Sequence, residues 1–254
     1  MTQTIVFASG KGGVGKSTLA LNTAVALAQQ GLRIGLVDAD IYGPDIPAMV
    51  GLTRRTPARS ITLWQADVPA DEPVEYQGVK IMSAQFLIAE DQPLDWQMPL
   101  VGLLLRRLVH DVAWGDLDLL LVDVPPGTGD LQQELFALVP DARVVLVVTP
   151  QYAAHLDGRK LVSMLQRRTI SIVGGVENMS GLDCPSCGDH IALFPRVAHE
   201  YAIWEQGVEE LGRIPFCAVD SGRGTPSPLV VSAPDSAAGR EIVAFAKKLT
   251  SILD

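Results

Sequence analysis

The segment Gly10-Lys11-Gly12-Gly13-Val14-Gly15-Lys16-Ser17 constrains this chain more than any other stretch of it. It follows the apolar run Ile5 to Ser9 directly and leads directly into residues of helical periodicity, so the backbone must turn from strand to helix there. Glycines let that turn be tight and aim successive N–H groups inward, and the helix N-terminus adds a dipole that favours an anion. With Lys16 and Ser17 in register, the pattern G-x-x-x-x-G-K-S is a phosphate cradle. Lys16 is expected to reach β- and γ-phosphates, and the Ser17 hydroxyl to ligate Mg²⁺. Gly10, Gly12, Gly13, Val14, Gly15, Lys16, Ser17 and Thr18 are thus the expected contacts to a nucleoside triphosphate. The bland alternative is a glycine turn before a helix, and glycines, Lys and Ser all in register and in context weigh against it.

Around the cradle, Ile5 to Ser9, Arg33 to Asp38, Leu117 to Asp123, Arg143 to Thr149 and Ile172 to Glu177 read as strands bounded by turn residues. Nearly all are apolar on both faces, as in a parallel sheet covered by helices on either side, whereas a half-exposed sheet would alternate. Leu19, Ala20, Ala24, Leu27 and Ala28 form a helical stripe, with Gly31 as its stop. Further helices are expected over Val101 to His110, Ala153 to Arg167 and Ala237 to Leu253. The fold class is α/β, a mostly parallel central sheet with helices on both faces, in one domain spanning residues 1–254. Residues Thr53 to Pro73 are Pro-rich and polar, and read as a loop with a peripheral hairpin continuing into Val79 to Ser83.

Charge narrows the partners. Lys plus Arg number 20 against 29 Asp plus Glu, and a net charge of −9 opposes long-range attraction to nucleic acid or to an anionic membrane. Apolar runs such as Leu117 to Val124 are far shorter than the roughly 18 residues that cross a bilayer. No basic, cleavable leader precedes Thr4-Ile5-Val6, so a cytoplasmic location is expected.

Two acidic sites stand at the C-terminal ends of expected strands, where doubly wound sheets place their ligands. They are Asp38 and Asp40 in Val37-Asp38-Ala39-Asp40, and Asp123 after Leu119-Leu120-Leu121-Val122. An apolar run ending in Asp is the pattern of a carboxylate that holds water on Mg²⁺. Strand-end aspartates also serve as helix caps. After Asp123, Pro125-Pro126-Gly127-Thr128-Gly129-Asp130 is a stiff turn in which the Gly127 N–H can approach a γ-phosphate. A loop that touches that phosphate can report its hydrolysis.

Taken with Asp38-Ala39-Asp40-Ile41-Tyr42-Gly43-Pro44, Glu177-Asn178-Met179-Ser180 and Cys184-Pro185-Ser186-Cys187-Gly188, these motifs resemble the Mrp/ApbC-type iron–sulfur cluster carrier ATPases over nearly the whole chain. The cradle alone would indicate the wider deviant Walker A group, which includes septum-site and partitioning ATPases. The resemblance implies a slow ATPase that forms a homodimer with ATP near its interface, and apo iron–sulfur proteins as clients. It implies that Lys11 reaches the partner chain's phosphates, Asp38 orients or deprotonates the attacking water, Asp40 helps position Mg²⁺, and Asn178 recognises adenine. An Asn amide can pair bidentately with adenine N6 and N7. Relatives differ in having a Gly-rich stretch in place of Ala192 to His199 and Trp-Arg-Gly-Pro in place of Trp96-Gln97-Met98-Pro99.

Cys184 and Cys187 supply two thiolates from one turn, half of a four-thiolate site. Two pairs meeting across a C2 axis would hold a [4Fe–4S] cluster or zinc. His190 and His199 could instead complete a zinc site within one chain, and a redox dithiol or an unused turn are further readings. Cys217, after Pro215-Phe216, reads as a small core residue. Competing functions are a positioning ATPase that cycles on membrane or DNA, and a P-loop small-molecule kinase. For a membrane anchor the C-terminal candidate, Ile242 to Leu253, offers just Lys247 and Lys248 as cations, and a packed terminal helix explains it better.

Overall fold

The computed structural model describes residues 2–52, 71–87, 98–184, 186–217 and 226–253. In chain order the elements are β1 (Gln3–Ala8), α1 (Lys16–Ala28), β2 (Ile34–Asp38), α2 (Ile46–Met49), β3 (Val74–Tyr76), β4 (Val79–Ser83), α3 (Ala84–Leu87), α4 (Met98–His110) and β5 (Leu119–Asp123). Then come α5 (Asp130–Leu138), β6 (Arg143–Val148), α6 (Tyr152–Arg167), β7 (Ser171–Asp183), β8 (His190–Ile191), β9 (Glu210–Phe216), α7 (Leu229–Ser232) and α8 (Ala237–Leu253).

The strands form one nine-stranded sheet in the order β3-β4-β2-β5-β1-β6-β7-β8, with β9 paired to β7. β3 and β8 pair antiparallel and the other pairings are parallel. The inner strands are buried on both faces, as their continuous apolar runs require: β2 and β5 are buried at every position. Because β1, β2 and β5 are neighbours with matched register, their C-terminal ends converge. Asp38 lies opposite Asp123, and Asp123 opposite Phe7.

α1 departs from the expected single stripe. It is buried from Leu19 to Leu27 without interruption, because it lies between the sheet and a second cover of α7 and α8. Gly31 ends this segment at φ 90, and its N–H bonds the Ala28 carbonyl. α8 buries Ala238, Ile242, Phe245, Ala246, Leu249 and Leu253, and Phe245 meets Phe7 edge-on with centroids 6.4 Å apart. The apolar face that a membrane anchor would need is thereby used inside the fold. Among the described residues, no helix is long and apolar enough to cross a membrane.

Three readings of the sequence need correction or extension. The expected hairpin is there, with β3 folding back on β4 through Gln77-Gly78 at the sheet edge, but β4 is not peripheral: it pairs in parallel with β2. Most of the expected 53–73 loop, and Trp96-Gln97, lie outside the described residues. β7 runs six residues beyond Glu177, where polar and apolar residues mix and most positions are no longer fully buried, so the apolar run that marks its first part stops. β9 and α5 are elements that hydrophobic periodicity did not reveal.

Candidate functional site

The cradle is built as its glycines require. Gly15, the N-cap of α1, has φ 81, and a Cβ there would fall 2.3 Å from the Asn178 amide nitrogen. At Gly10 a Cβ would fall 2.2 Å from the main-chain carbonyl carbon of Asp157, so the loop passes directly over the first turns of α6. Lys16 is buried and its Nζ donates to Asp123 Oδ1 at 2.6 Å and to Ser17 Oγ at 3.4 Å. Lys11 is exposed and makes no ion pair among the described residues.

Asp38 and Asp123 are fully buried. Asp38 Oδ2 accepts from Ser83 Oγ at 2.9 Å and from the Ile46 N–H at 3.2 Å. Desolvation, with Asp123 adding repulsion, pushes the Asp38 carboxyl up to about 8. Burial likewise raises Asp123, against the pull of Lys16, and raises the half-buried Asp40. Asp38 Oδ1 and Asp123 Oδ2 are buried without a hydrogen-bond partner. Two orphaned carboxylate oxygens, one on Asp38 and one on Asp123, with the Ser17 hydroxyl beside Lys16, are a donor set suited to a hard divalent cation. The loop after Asp123 closes on the cradle, where the Gly127 N–H donates to the Ser9 carbonyl at 2.8 Å with Gly127 at φ 101.

Beside α1 opens a cavity of about 410 Å³, lined among others by Gly15, Thr18, Asn178, Pro215, Phe216 and Cys217. Asn178 donates from Nδ2 to the Val14 carbonyl at 2.8 Å, which ties β7 to the cradle. Cys217 packs against the core as read from sequence, and also borders this cavity. Phe216 is partly exposed next to it. Sequence reasoning missed Pro215 and Phe216 as lining residues, although a Pro-Phe-Cys run just after a strand is the available signal. It also missed Ser83, whose contact with Asp38 depends on the β2–β4 pairing.

The cysteine pair sits at the far end of β7. There β8 pairs back on it, Leu182 opposite Ile191 and Asp183 opposite His190. The turn is closed by Cys184 N–H to the Asp189 carbonyl at 2.9 Å and Gly188 N–H to the Cys184 carbonyl at 2.8 Å. Cys184 is half-buried and Cys187 exposed. Backbone N–H donors from Ser186 and then Cys187 hold the Cys184 thiol below its ordinary value, which favours the thiolate a metal needs. His190 Nδ1 is engaged by Asp183 at 2.9 Å and His199 Nδ1 by Glu205 at 2.8 Å. Among the described residues, no three His, Cys, Asp or Glu side chains gather as a metal site.

Sheet order and cradle together define the class: a P-loop NTPase with a second lysine, Lys11, inside its loop. The model of a family described as NUBPL iron-transfer P-loop NTPase, of the ParA group, matches residues 1–250. The iron-sulfur cluster carrier protein of Synechocystis sp. is 43% identical over 247 residues, which span 96% of this chain and 69% of that one. A nucleotide-binding protein from Archaeoglobus fulgidus, solved in complex with ADP, is similar at TM-score 0.69 and 34% identity, covering 85% of this chain and 82% of the other. The septum site-determining protein MinD from Pyrococcus horikoshii, complexed with Mg-ADP, reaches TM-score 0.73 over 100% of this chain and 98% of its own. At 22% identity that is a likeness of fold alone. The chain belongs to the NUBPL iron-transfer P-loop NTPase family.

Proposed function

We propose that this chain binds and slowly hydrolyses Mg·ATP, carries a labile [4Fe–4S] cluster between the two subunits of a homodimer, and passes it to apo iron–sulfur proteins in the cytoplasm. The whole chain acts as one ATPase domain, with the cysteine hairpin as an insertion near residues 178–199. The observation that carries this reading is the course of β7. Asn178, on the nucleotide cavity, and Cys184, at the hairpin, are joined by at most about 20 Å of one strand at ~3.3 Å per residue. A nucleotide-dependent change at Asn178 therefore has a direct covalent route to the thiolates.

The residues divide the work as follows. Lys16 would turn from Asp123 to the β- and γ-phosphates, and Asp123, Asp40 and Ser17 would hold Mg²⁺, which would supply positive charge against the phosphates. Asp38 takes the proton of the attacking water. Its raised pKa suits a base working near neutrality, and a divalent cation nearby draws it back toward the ionised form. Gly127 exchanges the Ser9 carbonyl for a γ-phosphate oxygen, so its loop senses whether that phosphate is present. Lys11, exposed and unpaired, reaches the partner subunit's phosphates. Asn178, Gly15 and Thr18 border the base and ribose.

Two thiolates per chain leave a cluster under-coordinated, so two chains must share it. Exposure of Cys187 suits a cargo that has to leave again. Anaerobic reconstitution with iron and sulfide, metal analysis and a mass measurement in solution test the proposal. One cluster per two chains, with a gain in dimer, is expected. One tightly held zinc per chain with no iron uptake would leave a P-loop ATPase with a structural zinc knuckle and sink the carrier function.

A further inference from the structure

A second cavity, of about 540 Å³, opens between the loop after Asp123, α5 and α6, and its lining includes Thr128, Gln133, Lys160, Met164, Arg167 and Arg168. Neither the phosphate cradle nor the cysteine hairpin contributes to it. Lys160, Met164 and Arg167 recur at i, i+4 and i+7 on α6, so they share one face, with the two cations about 10 Å apart at ~1.5 Å per residue. Arg167 makes no ion pair among the described residues. Lys160 pairs with Asp157 at 2.8 Å, an exposed contact of little strength. Arg168 spends a guanidinium N–H on a neutral acceptor, Gln133 Oε1, at 2.5 Å. Three cations facing one carboxylate reverse the local field in a chain of net charge −9.

The groove is also wired to the nucleotide site. Gln133, held at Oε1 by Arg168, donates from Nε2 to the Thr128 carbonyl at 3.2 Å. The residue before Thr128 is Gly127, whose N–H rests on Ser9 at the start of the cradle. A carboxylate adds an opposite charge and a bidentate fit to the guanidinium that a neutral amide oxygen lacks. A carboxylate entering the groove would therefore draw Arg168 off Gln133, and the amide that tethers Thr128 would lose its own anchor.

We propose that this groove docks an acidic segment of a partner protein, with two carboxylates flanking an apolar residue, and that docking loosens the loop over the nucleotide. The spacing decides the ligand class. No single phosphate or free carboxylate bridges cations about 10 Å apart, whereas an extended Glu-x-x-x-Glu puts both carboxylates on one face, ~13 Å apart at ~3.3 Å per residue, within reach of long Lys and Arg side chains. Met164, between the cations, asks for an apolar side chain at the middle.

Fluorescence anisotropy of the full chain with a labelled peptide Gly-Glu-Gly-Leu-Gly-Glu-Gly tests this without any need for hydrolysis or cluster, so its failure is separable from that of the carrier function. Binding is expected, weakened by salt, and about tenfold or more weaker for Lys160→Glu/Arg167→Glu and for the peptide with Gln in place of Glu. Inorganic phosphate should displace the peptide no better than chloride at matched ionic strength. Nucleotide binding by each variant shows that it is folded, and Arg167→Gln serves if the double variant is not. In wild type the peptide should change the ATPase rate at least twofold, and in Lys160→Glu/Arg167→Glu it should not. No peptide binding, binding indifferent to these substitutions, or specific displacement by phosphate overturns the proposal. So does tighter binding of a labelled oligonucleotide that the double variant abolishes, because the groove would then be a nucleic-acid surface.

Discussion

The nucleotide cradle and the cysteine hairpin, both attached to β7, hold their polar groups in opposite ways. At the cradle the ionisable groups are buried and held by the fold: Lys16 lies on Asp123, and Asp38 is clamped by Ser83 and the Ile46 N–H. At the hairpin the ligand atoms face solvent, and backbone N–H groups supply the stabilisation of Cys184. A buried, preorganised site binds tightly and pays for reorganisation in folding, whereas an exposed pair of thiolates can be reached, and emptied, by another protein. Loss of one group should therefore damage the cradle by charge imbalance and the hairpin by missing coordination alone.

The sharpest way to break this contrast is Lys16→Ala. It removes the main cation from the phosphates and strands Asp123 as an unpaired buried acid, so nucleotide affinity should fall on the order of 100-fold or more, at ~1.4 kcal/mol per tenfold. Titration calorimetry with ATP would measure it, and near-normal affinity would show that the cradle does not work through Lys16.

Next come Cys184→Ala and Cys187→Ala, which should each abolish cluster uptake while ATP affinity changes by less than about twofold, since no buried charge is exposed. A parallel loss of ATP binding would mean that cradle and hairpin are one site energetically. Asn178→Ala lies between them on the strand. Deleting its bond to Val14 and its place on the cavity should cost about tenfold in nucleotide affinity, with the cluster still taken up.

A smaller effect concerns pH. Asp38 keeps its proton in the folded, nucleotide-free chain up to about 8, whereas the unfolded chain releases it near 3.8. Between those values the folded state binds more protons, so this group's contribution to stability falls as pH rises from about 4 to about 8. Asp38→Asn removes the dependence. Thermal melts without nucleotide should show the variant gaining on wild type between pH 5 and pH 8, by about 2–4 °C for each kcal/mol removed. A gap that does not change with pH would mean that Asp38 is ionised in the resting fold.

The parts of this molecule that sequence made legible are those where local pattern and tertiary role coincide. β1, β2, β5 and β6 are apolar on both faces because they are inner parallel strands, and the glycines of the cradle answer to backbone geometry that any sequence there would have to satisfy. β9 was not legible, because Glu210-Leu211-Gly212-Arg213-Ile214-Pro215-Phe216 mixes charge, glycine and proline. It pairs with β7 on one side, and an edge strand tolerates a residue without an N–H. The peripheral reading of β4 failed for a related reason, since five residues cannot announce which strand they will join. Ser83 on Asp38 follows from tertiary neighbours, and so does the closing of the α6 cation face into a groove by Thr128 and Gln133, although the helical spacing of Lys160, Met164 and Arg167 was there to be read.

The placement of β1 has a consequence for the birth of the protein. This strand leaves the ribosome well before its partners on either side, β5 and β6, with Val6 opposite Val122 and Val144. Until the chain has grown past those residues, β1 has no neighbour and its apolar faces have no cover. Closing loops of that length is costly and comes late. β1 thus waits, without a strand partner, for more than 100 further residues to be made (Val6 to Val122), a state in which cells commonly rely on chaperones.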